Sequence, residues 1–128
     1  MTQEAFIKVL DREGYSYKIE GDKIIVTREG TVNLDTLTSL PLGVEFRNKG
    51  SVYLNALTYL PPGVVFKNGL EVYLAALTSI PPDVEFKNGG LVRLDSLVGG
   101  YFHKCKGNIK GIDSKRLLNV MIKRGMFI

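Results

Sequence analysis

The 128-residue sequence contains one cysteine, one histidine and no tryptophan. The single cysteine, Cys105, excludes an internal disulfide and fits a reducing compartment. One His and one Cys do not complete a four-ligand zinc site, so no metal is expected. Long apolar runs are missing as well, and none approaches the roughly 20 residues a bilayer-spanning helix needs. The N-terminus is polar from Thr2 to Glu4, unlike a secretory leader. These absences predict a single cytoplasmic domain with no membrane partner.

Catalytic constellations are scarce too. His103 and Cys105 could form a nucleophile–base pair on one strand face, but neither an orienting group nor an oxyanion site accompanies them. The glycine-rich stretches "KNGG" and "VGGYFHKCKGNIKG" lack the Gly spacing and Lys-Ser/Thr ending of a P-loop. Asp35 and Asp95 occupy equivalent repeat positions, but Asn55 and Ala75 stand between them, so no paired carboxylates recur. The expectation is a protein without catalytic residues, cofactor or metal.

Acidic residues are nearly absent from one region. Residues 1–100 carry 10 Lys+Arg against 12 Asp+Glu, whereas residues 101–128 carry 7 basic residues against Asp113 alone. The formal charge of +4 therefore belongs to the last quarter of the chain. Lys104, Lys106, Lys110, Lys115 and Arg116 follow Tyr101 and Phe102 there, a composition that nucleic-acid binders use and that a solubilised helix also uses. An acidic protein surface is an equally compatible partner.

What the chain has in abundance is repetition. At a spacing of 20 residues stand "TVNLDTLTSLPLGVEFRNKG" (31–50), "SVYLNALTYLPPGVVFKNGL" (51–70) and "EVYLAALTSIPPDVEFKNGG" (71–90), and a fourth unit begins at "LVRLDSLVGG". Six apolar columns persist: Val32/Val52/Val72, Leu34/Leu54/Leu74, Leu37/Leu57/Leu77, Leu40/Leu60/Ile80, Val44/Val64/Val84 and Phe46/Phe66/Phe86. The first two and the last two are spaced by two residues, as on a strand face. The middle pair is spaced by three and runs into proline, which suits an irregular arc.

One such unit buries too little apolar surface to offset its own ordering, so the units must stack. The predicted fold is a mainly β repeat: a short β-solenoid with two short strands per 20-residue unit. Gly43, Gly63 and Asp83 fall where a corner requires positive φ. Asn48, Asn68 and Asn88 form a column in which stacked amides are expected to bond to one another. A meander of hairpins around turns such as Asn88–Gly89 would use the same residues, but the fixed period without insertion favours the solenoid.

The flanks read differently. "MTQEAFIKVLDREG" predicts a helix capped by Thr2 and stopped at Gly14, and "YSYKIEGDKIIVT" predicts a hairpin turning at Gly21–Asp22. "DSKRLLNVMIKRGMFI" predicts a C-terminal helix. The expected organisation is an N-terminal helix–hairpin cap over 1–30, a solenoid over 31–98 and a basic helical cap over 99–128.

The combination of "LTSLPPGVEFKNGG"-type units with a preceding helix and "YKIEGDKIIVT" hairpin resembles short leucine-rich-like repeat proteins of phages, prophages and some bacteria. The resemblance covers about residues 2–100. It implies a non-enzymatic scaffold, acting as a phage accessory protein that binds and inhibits a host macromolecule such as a defence complex in the bacterial cytoplasm.

The outward column of the first strand in each unit reads Asn33, Tyr53, Tyr73, Arg93. Tyr and Arg are favoured at binding hot spots, and Tyr59 is a candidate extension of this strip. The same tyrosines would also stabilise a parallel ladder without binding anything. Three partner classes stay open: a protein on the tyrosine strip, a nucleic acid on the basic segment, or a second copy of the chain on an uncovered solenoid edge.

Overall fold

A computed structural model describes residues 1–81, 83–96 and 99–100. Helix α1 spans Gln3–Glu13 and is followed by β1 (Tyr17–Glu20) and β2 (Lys23–Val26). The repeats then supply β3 (Val32–Asn33), β4 (Val44–Phe46), β5 (Val52–Tyr53), β6 (Val65–Phe66), β7 (Val72–Tyr73), β8 (Ser79–Ile80), β9 (Glu85–Phe86), β10 (Val92–Arg93) and β11 (Gly99–Gly100). The architecture is mainly β with one helix among the described residues. The repeats wind as a β-solenoid of about three turns.

Strands from successive coils pair in parallel at a separation of exactly one repeat. One sheet has the order β1-β2-β4-β6-β9 and a second has β10-β7-β5-β3. Val32 registers with Val52 and Val52 with Val72, and Phe46 registers with Phe66 and Phe66 with Phe86. Parallel pairing at this spacing excludes the hairpin meander, whose neighbouring strands would be antiparallel. A third pair, β8 with β11, forms on the arc of the later coils, where the sequence pattern predicts irregular chain.

All six apolar columns point inward. Val32, Leu34, Leu37, Leu40, Val44, Phe46 and their copies belong to one buried cluster. Phe46, Phe66 and Phe86 stack inside it at 5.3 Å with interplanar angles of 6° and 5°. Each first strand ends in a tight turn, in which Leu37, Leu57 and Leu77 donate their N–H groups to Leu34, Leu54 and Leu74. That turn redirects the chain from one sheet toward the other.

The N-terminal segment continues the same geometry. Thr2 Oγ1 accepts from the Ala5 N–H at 3.1 Å, and Gly14 at φ 73° closes the helix, which buries Phe6 and Leu10 in the repeat cluster. The hairpin turns at Gly21–Asp22 as the sequence predicts, pairing Glu20 with Lys23. Its second strand is also a solenoid rung: Ile24 registers with Val44 and Val26 with Phe46. The columns therefore reach back one half-coil before residue 31, a feature hidden in the sequence because the other half is replaced by helix. The predicted C-terminal helix lies outside the described residues.

The asparagine column works differently from a ladder of side chains. Asn68 Nδ2 donates to the carbonyls of Gly50 (3.2 Å), Leu70 (3.3 Å) and Glu71 (3.1 Å). Asn48 and Asn88 make the equivalent contacts to Gly30, Gly50 and Ser51, and to Leu70, Gly90 and Leu91. Each amide thus ties its own corner to the preceding coil through the backbone, and two N–H hydrogens are shared among three carbonyls. With three acceptors around Nδ2, the amide oxygen must face the other way, so amide-to-amide bonding does not occur.

Replacing Asn68 by Ala should cost about 1–3 kcal/mol in denaturant unfolding, since the corner loses the amide that bridges three carbonyls, each of which keeps its backbone donor. Asn68→Asp should cost more, because a carboxylate would face the same three oxygens. An Asn68→Asp protein as stable as wild type would exclude this role.

The corner glycines separate two effects. Gly43, Gly63 and Asp83 all have positive φ, at 80°, 85° and 67°. A Cβ on Gly43 would also meet the Asp22 carbonyl at 2.6 Å, whereas one on Gly63 would enter open space. Gly63→Ala is expected to lose about 1–2 kcal/mol from the left-handed backbone alone. Gly43→Ala should lose clearly more, and equal losses in paired melts would show that the Asp22 approach is irrelevant.

Candidate interaction surface

The candidate strip is built by strand alternation on the four-stranded sheet. Val32, Val52, Val72 and Val92 turn into the core, so Asn33, Tyr53, Tyr73 and Arg93 turn outward. Because the period is uniform, the two tyrosines lie in direct register and their rings stack at 4.4 Å with an interplanar angle of 3°. Both tyrosines are half-buried.

Charged neighbours fix the upper end of this stack. Arg93 Nε lies 3.5 Å from Glu71 Oε2. The Glu71 carboxylate also accepts the Tyr73 hydroxyl. That bond, helped by burial and by the Tyr53 hydroxyl, pushes the Tyr73 phenol up to about 12.

The lower end is closed by residues that the repeat pattern does not announce. The Tyr15 hydroxyl accepts from the Asn33 N–H at 3.1 Å and donates to the Asn33 carbonyl at 3.4 Å. It thereby occupies the outer edge of β3, where an unpaired strand would otherwise present both groups. The Arg28 guanidinium sits 4.7 Å from the Tyr15 ring centroid, and its Nε donates to the Thr31 carbonyl at 2.9 Å. Arg28 stands 20 residues before Asn48 and reaches the carbonyl three positions ahead, as Asn48 does with Ser51. That offset is the one sequence signal that could have placed it.

A side-chain ladder borders the strip. Asp35 Oδ1 accepts from the Asn55 N–H at 2.9 Å, and Asn55 Oδ1 accepts from the Ala75 N–H at 3.2 Å. The mismatch that argues against paired catalytic carboxylates has a structural use: Asp and Asn both carry the oxygen this position needs. Thr31 and Ser51 do the same for the N–H groups of Ser51 and Glu71.

The structure brings Asn33, Tyr53, Tyr73 and Arg93 together, but not Tyr59. Tyr59 is 59% exposed on the arc toward Pro61 and makes no ring contact with the strip. Arg47, Lys67 and Lys87 line the outer side of the five-stranded sheet, where Arg47 pairs with Glu45, Lys67 reaches Glu45 at 3.7 Å and Lys87 pairs with Glu85 at 3.0 Å. Glu45 is buried there. His103, Cys105 and the basic residues Lys104, Lys106, Lys110, Lys115 and Arg116 lie outside the described residues. Among the described residues no group of three or more His, Cys, Asp and Glu is placed to hold a metal, and no helix is long and apolar enough to cross a membrane.

The raised phenol has a measurable consequence. A phenol whose folded value exceeds its unfolded one stabilises the fold fully below about pH 10, and that contribution is lost as pH rises toward 12. The Tyr17 phenol is also raised, by its bond to Asp11, so spectrophotometric titration should show a step near 12 that is absent in Tyr73→Phe and shifted down toward 10 in Glu71→Gln. A step near 12 that survives Tyr73→Phe would assign the shift elsewhere.

Compared with protein-family models, with curated proteins and with solved structures, the chain matches none.

Proposed function

We propose that the chain is a non-catalytic recognition scaffold that binds a protein partner through the outward strip of Tyr53, Tyr73 and Arg93. The observation that carries this reading is the paired tyrosine stack at 4.4 Å on the outer face of the four-stranded sheet. Rigid, half-exposed aromatics give a partner large contact area at little entropic loss. Asn33 and Arg93 hold the same column in the same parallel register without aromatic rings, so the sheet does not require tyrosine there.

In this reading α1 and the β1–β2 hairpin close the first end of the solenoid, and the C-terminal segment closes the other. The setting, a phage or prophage accessory protein that inhibits a host factor in the bacterial cytoplasm, rests on the resemblance of the repeat units. Tyr59 would contact only the rim of a partner large enough to pass the corner.

The test is a pull-down from nuclease-treated bacterial lysate with wild type and with Tyr53→Ala/Tyr73→Ala. Removing two outward rings should change stability by no more than about 1 kcal/mol per cross-strand pair, so the variant remains folded. A discrete protein retained by wild type and lost by the variant is the expected outcome. If nuclease empties the wild-type pull-down and the tyrosine variant behaves identically, the strip is not the interface and the basic segment with a nucleic-acid partner replaces it.

A further inference from the structure

The two ends of the tyrosine stack are chemically unequal. Above Tyr73 the next rung carries Arg93, whose charge is met by Glu71 at 3.5 Å. Below Tyr53 the next rung carries Asn33, an exposed side chain too short to cover a ring face. Asn33 is already held close to the backbone, with its Oδ1 accepting from the Asp35 N–H at 3.1 Å. Among the described residues no further ring and no cation covers the lower face of the stack.

Beside that face lies a carboxylate with no cation of its own. Asp35 uses Oδ1 for the Asn55 N–H, and among the described residues no salt bridge reaches its second oxygen. Arg28, the cation on the neighbouring segment, is spent on the Tyr15 ring and the Thr31 carbonyl. An aromatic face and an uncompensated carboxylate a rung apart ask for a ligand that is planar, cationic and rich in donors. The guanidinium group meets all three conditions, stacking on the ring while its N–H fork reaches a carboxylate. An ammonium group is a compact point charge and cannot stack. The molecule builds the same pairing internally, with Arg28 over Tyr15 at 4.7 Å.

We infer that the lower end of the tyrosine stack, formed by Tyr53, Asn33 and Asp35, seats an arginine side chain of the partner. The inference rests on the strip being the interface and specifies its chemistry: the partner segment is arginine-bearing, not acidic.

The test is an NMR titration of the full chain with N-acetylated, C-amidated Gly-Arg-Gly and with its Gly-Lys-Gly counterpart. Saturable shifts at the Tyr53 ring and the Asn33 and Asp35 amides are expected with the arginine peptide, and markedly weaker ones with lysine. Asp35→Asn keeps the acceptor for Asn55 and should weaken arginine binding by roughly threefold, as for an exposed charge pair. Tyr53→Leu should abolish it. Non-saturating shifts, equal response to lysine, or indifference to Asp35→Asn would overturn the seat. Failure of the peptide while the tyrosine variant still loses its protein partner would reject the arginine seat alone. Specific peptide binding without loss of any partner would keep the seat and reject the wider interface.

Discussion

One buried amide per coil governs this structure. Asn48, Asn68 and Asn88 each hold three backbone carbonyls, one from the preceding coil and two from their own corner. The corners themselves carry coil-to-coil backbone bonds, from the Gly69 and Gly89 N–H groups to the Asn48 and Asn68 carbonyls and from Leu70 and Gly90 to Gly50 and Leu70. The amide adds a further donor to carbonyls that these bonds and the strand ladder already engage, and so braces each corner against the preceding coil. Glycine allows the close approach that follows: a Cβ on Gly69 would lie 2.2 Å from the Lys49 carbonyl, and one on Gly89 would lie 2.3 Å from that of Gly69.

A fixed offset has consequences on both faces of the sheets. Inside, it places phenylalanine on phenylalanine and leucine on leucine, so the core is filled by copies rather than by interlocking shapes. Truncating a buried phenylalanine in such a column would cost about 3–5 kcal/mol, whereas an outward cross-strand aromatic pair is worth about 1 kcal/mol or less. The inner columns therefore carry the fold, and the outer ones are nearly free of it. Consistent with that, Val32, Val52, Val72 and Val92 are identical, while the residues beside them are Asn, Tyr, Tyr and Arg.

The same distinction explains what was legible in the sequence. The columns, the positive-φ corner at Gly43, Gly63 and Asp83, the capped helix and the Gly21–Asp22 hairpin are each dictated by local chemistry or by strict periodicity. Tyr15 was not legible, because its role comes from meeting a neighbour's backbone at the end of the ladder, and Arg28 left only its 20-residue offset from Asn48 as a signal. The amide column was recognised but misassigned: sequence alone shows stacked asparagines, and only the corner geometry shows that carbonyls surround them. Tyr59 shows what the pattern leaves out. It lies in the same unit as Tyr53, but the arc between them carries it off the strip.

At the first end, the β3 edge is not left for another strand to extend: Tyr15 takes both the N–H and the carbonyl of Asn33, and Arg28 braces Tyr15 from its ring face. Strand addition, the simplest way for a sheet to acquire a partner, is therefore excluded at the Asn33 rung. Recognition on this side must use side chains instead of backbone. The side chains available beside the blocked edge are the unpaired face of Tyr53 and the carboxylate of Asp35. Closing the edge and offering a side-chain seat next to it are two results of one substitution, in which a helix and a tyrosine stand where another coil would have continued the ladder.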